Sequence, residues 1–183
     1  MYLRLSDNHL FIISALLLGL SIKLFDDFVD ENKTVNIPYI MCFLGISIFL
    51  YRENLGLFLS AYIIGMFHDR NITLIIGLKA YQEQIIVIIL LVIIAGVKSS
   101  VFSLLIIFAI QLIDDLIDER YDASTGKKNW AAIFGRVEVS VALIILIIIS
   151  LYIDRFKALT CSLISIAISA LSGIKSTKLK IQE

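Results

Sequence analysis

Long apolar runs separated by short polar segments are the dominant pattern of this chain. The seven longest runs are Leu10–Ile22, Ile37–Tyr51, Leu55–Phe67, Ile85–Val97, Val101–Ile113, Val137–Ile153 and Phe156–Ile174. Several are shorter than the ~20 residues with which a helix spans a bilayer core. We therefore predict that some of the helices continue into their polar flanks. A soluble domain of this size has no room for so many apolar helices, so the runs together predict membrane-spanning helices.

The composition supports the same prediction. The 183 residues are 59% hydrophobic and 17% charged, whereas soluble domains average about 45–50% apolar and about 25% charged residues. The predicted fold class is all-α, a polytopic integral membrane bundle of about seven transmembrane helices. We expect residues 1–183 to form a single helical domain in the lipid bilayer of the cell membrane. A net charge of zero without a basic tract argues against nucleic-acid binding.

The distribution of basic residues predicts the orientation of the helices. The loops after the first, third and fifth runs, together with the C-terminal tail, hold about twice as many Lys and Arg residues as the loops of the other side. By the positive-inside rule, this richer side faces the cytoplasm. Most of the acidic residues lie on the same side, although acidic residues do not set orientation. Their concentration there needs a separate explanation.

Two acidic segments of the chain are nearly the same. They are Ser21–Glu31, SIKLFDDFVDE, and Ala109–Glu119, AIQLIDDLIDE. Each contains a DDxxD motif and follows an apolar run on the predicted cytoplasmic side, within aspartate-rich helix ends that we place at residues 21–34 and 109–128. Because several of the aspartates recur every four residues, they form a stripe along one helix face, with a second stripe beside it. The aspartates concerned are Asp26, Asp27, Asp30, Asp114, Asp115, Asp118 and Asp122.

Such a concentration of negative charge is unfavourable unless a cation offsets it. Like charges four residues apart cost about 0.2–0.5 kcal/mol per pair, and these also lie at the negative end of a helix dipole, near hydrocarbon. Mg²⁺ fits the pattern, because it binds oxygen ligands, takes one or two carboxylates and completes its shell with water and phosphate oxygens. We therefore predict that these seven aspartates bind Mg²⁺ and, through it, a diphosphate. Solvated helix ends without a metal are the alternative.

The second motif and the residues after it resemble a known family. The segment 114–135, DDLIDERYDASTGKKNWAAIFG, is similar to the second aspartate motif of the UbiA-type intramembrane prenyltransferases, in which DxxxDxxxD precedes a Gly-Lys turn and an apolar stretch that ends in Gly. The first motif is also similar to that of the family, with Asp26 in place of an Asn and Thr34 in place of the last Asp. The resemblance covers roughly Leu10 to Ile174, in a chain shorter than usual members.

The resemblance implies a Mg²⁺-dependent membrane prenyltransferase. Such an enzyme binds an isoprenyl diphosphate through two aspartate motifs, ionises it and transfers the prenyl group to a hydrophobic or aromatic acceptor. The residues that the resemblance places in catalysis are Asp26, Asp30, Asp114 and Asp118. The basic residues expected to bind the diphosphate are Lys127, Lys128, Arg70 and Arg120.

The same residues are compatible with alternatives to a prenyltransferase. Intramolecular capture of the allylic cation makes a UbiA-like membrane terpene cyclase. A non-catalytic membrane protein, either a cation- or diphosphate-binding relative or a small transporter, also fits, because intramembrane carboxylates mark ion pathways as well as catalytic sites. Transport sites are expected near the bilayer midplane, whereas these carboxylates follow the apolar runs, which favours diphosphate binding. The short chain also leaves a homo-oligomer open.

Overall fold

The chain is all-helical within the residues that a computed structural model describes. These are residues 7–31, 37–65, 79–125 and 129–179, except for the side chains of residues 26–31, 120, 121, 123–125 and 171–179. The helices are α1 (Asp7–Glu31), α2 (Ile37–Leu50), α3 (Asn54–Gly65), α4 (Ala80–Thr125), α5 (Trp130–Phe134), α6 (Arg136–Ile153) and α7 (Arg155–Leu179).

The helices extend beyond the apolar runs at both acidic segments, which confirms the prediction of polar extensions. Helix α1 continues from Ile22 to Glu31, and α4 continues from Ile113 to Thr125. In hydrocarbon, backbone N–H and C=O groups must be paired, and an α-helix pairs them within itself. A helix that reaches water can therefore continue into a polar segment without leaving these groups unpaired. Both DDxxD motifs therefore lie in the last turns of a helix.

A break at Gly96 divides α4 into segments 80–95 and 97–125. Gly96 has φ 76° and ψ 160°, a backbone conformation that is essentially restricted to glycine. The Ser100 hydroxyl lies 2.7 Å from the carbonyl oxygen of Gly96 and 3.1 Å from that of Leu91. In a straight helix, residues nine positions apart are separated by about 13.5 Å along the axis. The axis therefore turns sharply at Gly96, so the fourth and fifth apolar runs form two separate helical segments, as predicted.

Within the described residues, three helices are long and apolar enough to cross a membrane. They are Asp7–Phe25, Ala80–Glu119, which includes the break at Gly96, and Arg136–Ile153. Helices α2 and α3 are apolar but shorter. Large apolar side chains of α6 are exposed on the protein surface, among them Val137 at 72% and Ile148 at 59%. Such a surface is suited to contact with hydrocarbon rather than water.

The chain divides into two compact units, residues 1–54 with 159–183 and residues 55–158. In the first unit α1 packs against α2 through buried serines. The Ser47 hydroxyl donates to the Ser14 carbonyl (2.8 Å) and accepts from the Asn54 amide (2.8 Å), and the Ser21 hydroxyl donates to the Ile40 carbonyl (3.1 Å). Small side chains that bond across helices allow two backbones to approach closely within a membrane.

Replacing Ser47 by Ala is expected to lower the free energy of unfolding by about 0.5–1.5 kcal/mol, the net contribution of a typical hydrogen bond in a protein. The substitution removes the hydroxyl that donates to the Ser14 carbonyl and accepts from the Asn54 amide. Unfolding in mixed micelles measures the change. Ser140→Ala is the matched control, because the Ser140 hydroxyl donates to the Arg136 carbonyl of its own helix. Equal losses in the two variants would contradict the expected role of Ser47.

In the second unit α4 packs against α5 and α6. A small core forms where the three helices meet, with Leu112, Ala131 and Val139 buried. Gly135, at φ 100°, ends α5 and immediately precedes α6. The core therefore fixes α5 beside the acidic end of α4.

Candidate functional site

The carboxyl end of α4 presents four aspartates in very different surroundings. Asp115 is buried, with 5% of its surface exposed, whereas Asp118 is exposed. Asp114 and Asp122 are half-buried. Asp114, Asp118 and Asp122 follow one another at four-residue spacing, which corresponds to a rise of about 6 Å per step along one helix face. Together these three residues form the carboxylate stripe of α4.

The Asp115 carboxylate points into the contact between α4 and α5. Its Oδ1 accepts a hydrogen bond from the Gln111 side-chain amide (3.1 Å), and its Oδ2 accepts one from the backbone N–H of Trp130 (2.9 Å). These donors offset the cost of burying a carboxylate, which is large for a charge without partners. The bond to Trp130 also fixes the start of α5 on the end of α4.

The Asn129 side chain bonds to the start of α5, to the Asp115 backbone and to the Asp122 carboxylate. Its side-chain oxygen accepts hydrogen bonds from the N–H groups of Ala131 (2.8 Å) and Ala132 (3.2 Å), which makes it the N-cap of α5. Its amide nitrogen donates to the Asp115 backbone carbonyl (2.8 Å) and to Oδ2 of Asp122 (2.8 Å). The residue is 1% exposed. An Asn side chain has two donor hydrogens and two acceptor positions, and here all four are used.

Trp130, the first residue of α5, takes part in two aromatic pairs. The Trp130 ring stacks on Phe134, with centroids 5.3 Å apart, and meets Phe108 edge to face at 5.8 Å. Such pairs add about 0.5–1.5 kcal/mol beyond the area they bury. The rings therefore help to hold α5 in place against α4.

Glu119 and Arg136 line an open groove at the same helix end. The groove has a volume of about 280 Å³, and Leu116 and Ile117 form its apolar side. The two charged groups are 3.9 Å apart, and the Arg136 side chain is 67% exposed. An ion pair this exposed contributes little to stability, because water and salt screen it.

Several of the predicted site residues lie outside the described part of the protein. Asp26, Asp27 and Asp30 lie in the last turns of α1, but their side chains are not among those described. The same holds for the Arg120 side chain in α4, and Arg70, Lys127 and Lys128 lie entirely outside the described residues. Their assignment to metal and diphosphate binding stays a prediction.

The described carboxylates fit Mg²⁺ through their chemistry. Among the described residues, no three His, Cys, Asp or Glu side chains are grouped closely enough to hold a metal ion by themselves. Mg²⁺ does not require such a group, since it binds one or two carboxylates and takes its other ligands from water and substrate phosphates. The exposed Asp118 and the half-buried Asp114 supply hard oxygen ligands of the type that Mg²⁺ prefers.

Three residues of this region were missed as candidates by the sequence analysis: Gln111, Asn129 and Trp130. A signal was present for Asn129, because an Asn directly before an apolar helical stretch is a typical N-cap. No comparable local signal marks Gln111 or the Trp130 N–H, whose role depends on a contact with a residue 15 positions earlier.

Comparisons with protein-family models, with curated proteins and with solved structures find no significant match to this chain. The resemblance to the UbiA-type prenyltransferases therefore depends on the two aspartate motifs and the residues that follow the second one.

Proposed function

We propose that this chain is a Mg²⁺-dependent membrane prenyltransferase of the UbiA type. The observation that supports the proposal most is the position of the two matching DDxxD segments, each in the last turns of an apolar helix. A carboxylate stripe at a helix end is costly without a cation, and Mg²⁺ with a diphosphate offsets that cost.

We infer that the protein lies in the cell membrane, with about seven helical crossings and both aspartate-rich helix ends on the cytoplasmic side. Support comes from three helices long enough to span a bilayer and from the exposed apolar side chains of α6. The orientation follows from the excess of basic residues on the side that holds the motifs.

The reaction begins when the enzyme binds the diphosphate head group. Asp26 and Asp30 in the first motif, and Asp114 and Asp118 in the second with Asp122 nearby, would hold Mg²⁺. Mg²⁺ bound there would neutralise phosphate charge and make the diphosphate a better leaving group. The basic residues Lys127, Lys128, Arg70 and Arg120 donate hydrogen bonds to phosphate oxygens.

The remaining steps take place among apolar side chains. The allylic C–O bond breaks, its electron pair leaves with the diphosphate, and the prenyl group becomes an allylic cation. Apolar helices exclude water, so the cation reaches its acceptor before hydrolysis. A nucleophilic atom of a hydrophobic or aromatic acceptor then forms the new bond to the prenyl carbon and releases a proton.

A turnover assay tests the proposal. We expect the purified protein in lipid nanodiscs to consume labelled farnesyl diphosphate when Mg²⁺ and a suitable acceptor are present, and to release pyrophosphate as the labelled acceptor forms. The acceptors tried are an aromatic acid, a quinone precursor and a glycerol lipid. A cyclic hydrocarbon formed without acceptor would instead identify a terpene cyclase. Tight binding without turnover would identify a non-catalytic relative, and absence of binding would contradict the proposal.

A further inference from the structure

We propose that Asn129 and Asp115 are positioning residues: Asn129 holds the Asp122 carboxylate within the carboxylate stripe of α4, and Asp115 anchors α5 instead of binding metal. This inference rests on the proposed function, because it divides the carboxylates of the second motif between metal binding and support. The metal-binding members are then Asp114, Asp118 and Asp122.

The Asn129 side chain uses all of its hydrogen-bonding groups. One amide hydrogen reaches the Asp115 carbonyl and the other reaches Asp122 Oδ2, both at 2.8 Å, while the side-chain oxygen caps α5. Ser and Asp can cap a helix as well as Asn can. Neither provides two amide hydrogens, so neither can cap α5 and also bond both of these groups. The Asn side chain therefore links the position of α5 to that of Asp122.

The Asp115 carboxylate is buried and points toward α5. Each of its oxygens accepts a hydrogen bond, from Gln111 and from the Trp130 N–H, and 5% of the residue is exposed. Asp118, three positions later in the same helix, is exposed. A metal ion bound to Asp115 would have to displace donors that fix the start of α5. The Asp118 side chain, by contrast, lies at the surface of the helix end.

Loss of the hydrogen bond from Asn129 to Asp122 should have a measurable effect on metal binding. Residues that orient a carboxylate ligand typically change metal affinity or activity by about 10- to 100-fold when they are replaced. Without Asn129, the Asp122 side chain loses a donor that restricts its rotamer. We therefore expect the apparent Mg²⁺ affinity to fall while the fold is retained.

The test for Asn129 separates positioning from helix capping. Binding of labelled farnesyl diphosphate is measured over a range of Mg²⁺ concentrations for Asn129→Ser, Asn129→Ala, Asp122→Asn and Asn129→Ser with Asp122→Asn. Ser keeps the cap, and Ala removes it. We expect both Asn129 variants to weaken the apparent Mg²⁺ affinity by about 10- to 100-fold. Asn129→Ala should have a lower melting temperature than Asn129→Ser, because it lacks the helix cap. The double variant should bind no more weakly than Asp122→Asn alone, because Asn129 acts through Asp122.

A second arm tests Asp115 by the same binding measurement. Asp115→Asn keeps the size of the side chain: its oxygen can still accept from the Trp130 N–H, and a flipped Gln111 amide can accept from its nitrogen. We expect this variant to lose less Mg²⁺ affinity than Asp118→Asn.

Three results would overturn the inference while the proposed function survives: additive losses in the double variant, wild-type affinity in Asn129→Ser, or equal losses in Asp115→Asn and Asp118→Asn. A wild-type protein that binds no farnesyl diphosphate would remove the proposed function itself, and the inference with it.

Discussion

Replacing Asp30 and Asp118 together by Asn is expected to weaken Mg²⁺-dependent binding of farnesyl diphosphate at least about 100-fold, which corresponds to about 2.8 kcal/mol. An amide oxygen carries no net charge and is a poorer ligand for Mg²⁺ than a carboxylate oxygen. The change removes one carboxylate from each DDxxD motif, so fewer negative charges remain to bind the Mg²⁺ that accompanies the diphosphate. Equilibrium binding of labelled farnesyl diphosphate to protein in nanodiscs, with and without Mg²⁺, measures the loss.

Asp154→Asn is the matched control for this prediction. Asp154 lies between α6 and α7, outside both aspartate motifs, and its Oδ1 accepts a hydrogen bond from the Lys157 N–H (3.0 Å). Asn can accept the same bond, so the helix start is retained. We expect the control to bind farnesyl diphosphate as the wild type does. Equal binding by the double variant and the control would mean that the motif carboxylates do not bind the ligand.

Replacing Gly96 by Ala is expected to lower the free energy of unfolding by about 1–3 kcal/mol, the cost of forcing an L residue into a backbone region that glycine alone occupies readily. Gly96 has φ 76° and ψ 160° at the break in α4. No atom lies within 4 Å of the position that a Cβ would take there, so the strain comes from the backbone and not from a clash. Unfolding in mixed micelles measures the change.

Gly45→Ala shows whether the effect at Gly96 comes from its conformation. A Cβ at Gly45 also meets no atom within 4 Å, and Gly45 lies inside the helix α2. Ala is more favourable than Gly in a helix interior by about 0.5–1 kcal/mol. The two substitutions should therefore change stability in opposite directions. A stabilised Gly96→Ala variant would be incompatible with a sharp turn of α4 at this residue.

The helices and their acidic ends could be predicted from the sequence because both depend on local patterns. Apolar runs of this length favour helices, and the shortness of the run Val101–Ile113 already required the extension that α4 makes to Thr125. The short helix α5 was not predicted. It is held by bonds from Asn129 and Trp130 to Asp115, across the residues that separate it from α4. A pattern within either segment does not show such a contact.

The sequence analysis named both Asp115 and Asp118 as metal ligands, although the two side chains lie in different surroundings. Asp115 continues a buried stripe of α4 that contains Ile106, Ala109 and Leu112 at three-residue spacing. That spacing was visible in the sequence, but the neighbour that covers the stripe was not. Burial of Asp115 depends on α5, whose position is a result of tertiary packing.

The most direct test of the central claim is a Mg²⁺ titration of farnesyl diphosphate binding to the wild-type protein in nanodiscs. We expect saturable binding that requires Mg²⁺, disappears when a chelator removes the metal and is displaced by inorganic pyrophosphate. Binding that persists unchanged in the chelator, or no binding at any Mg²⁺ concentration, would contradict the claim that the aspartate-rich helix ends hold a magnesium diphosphate.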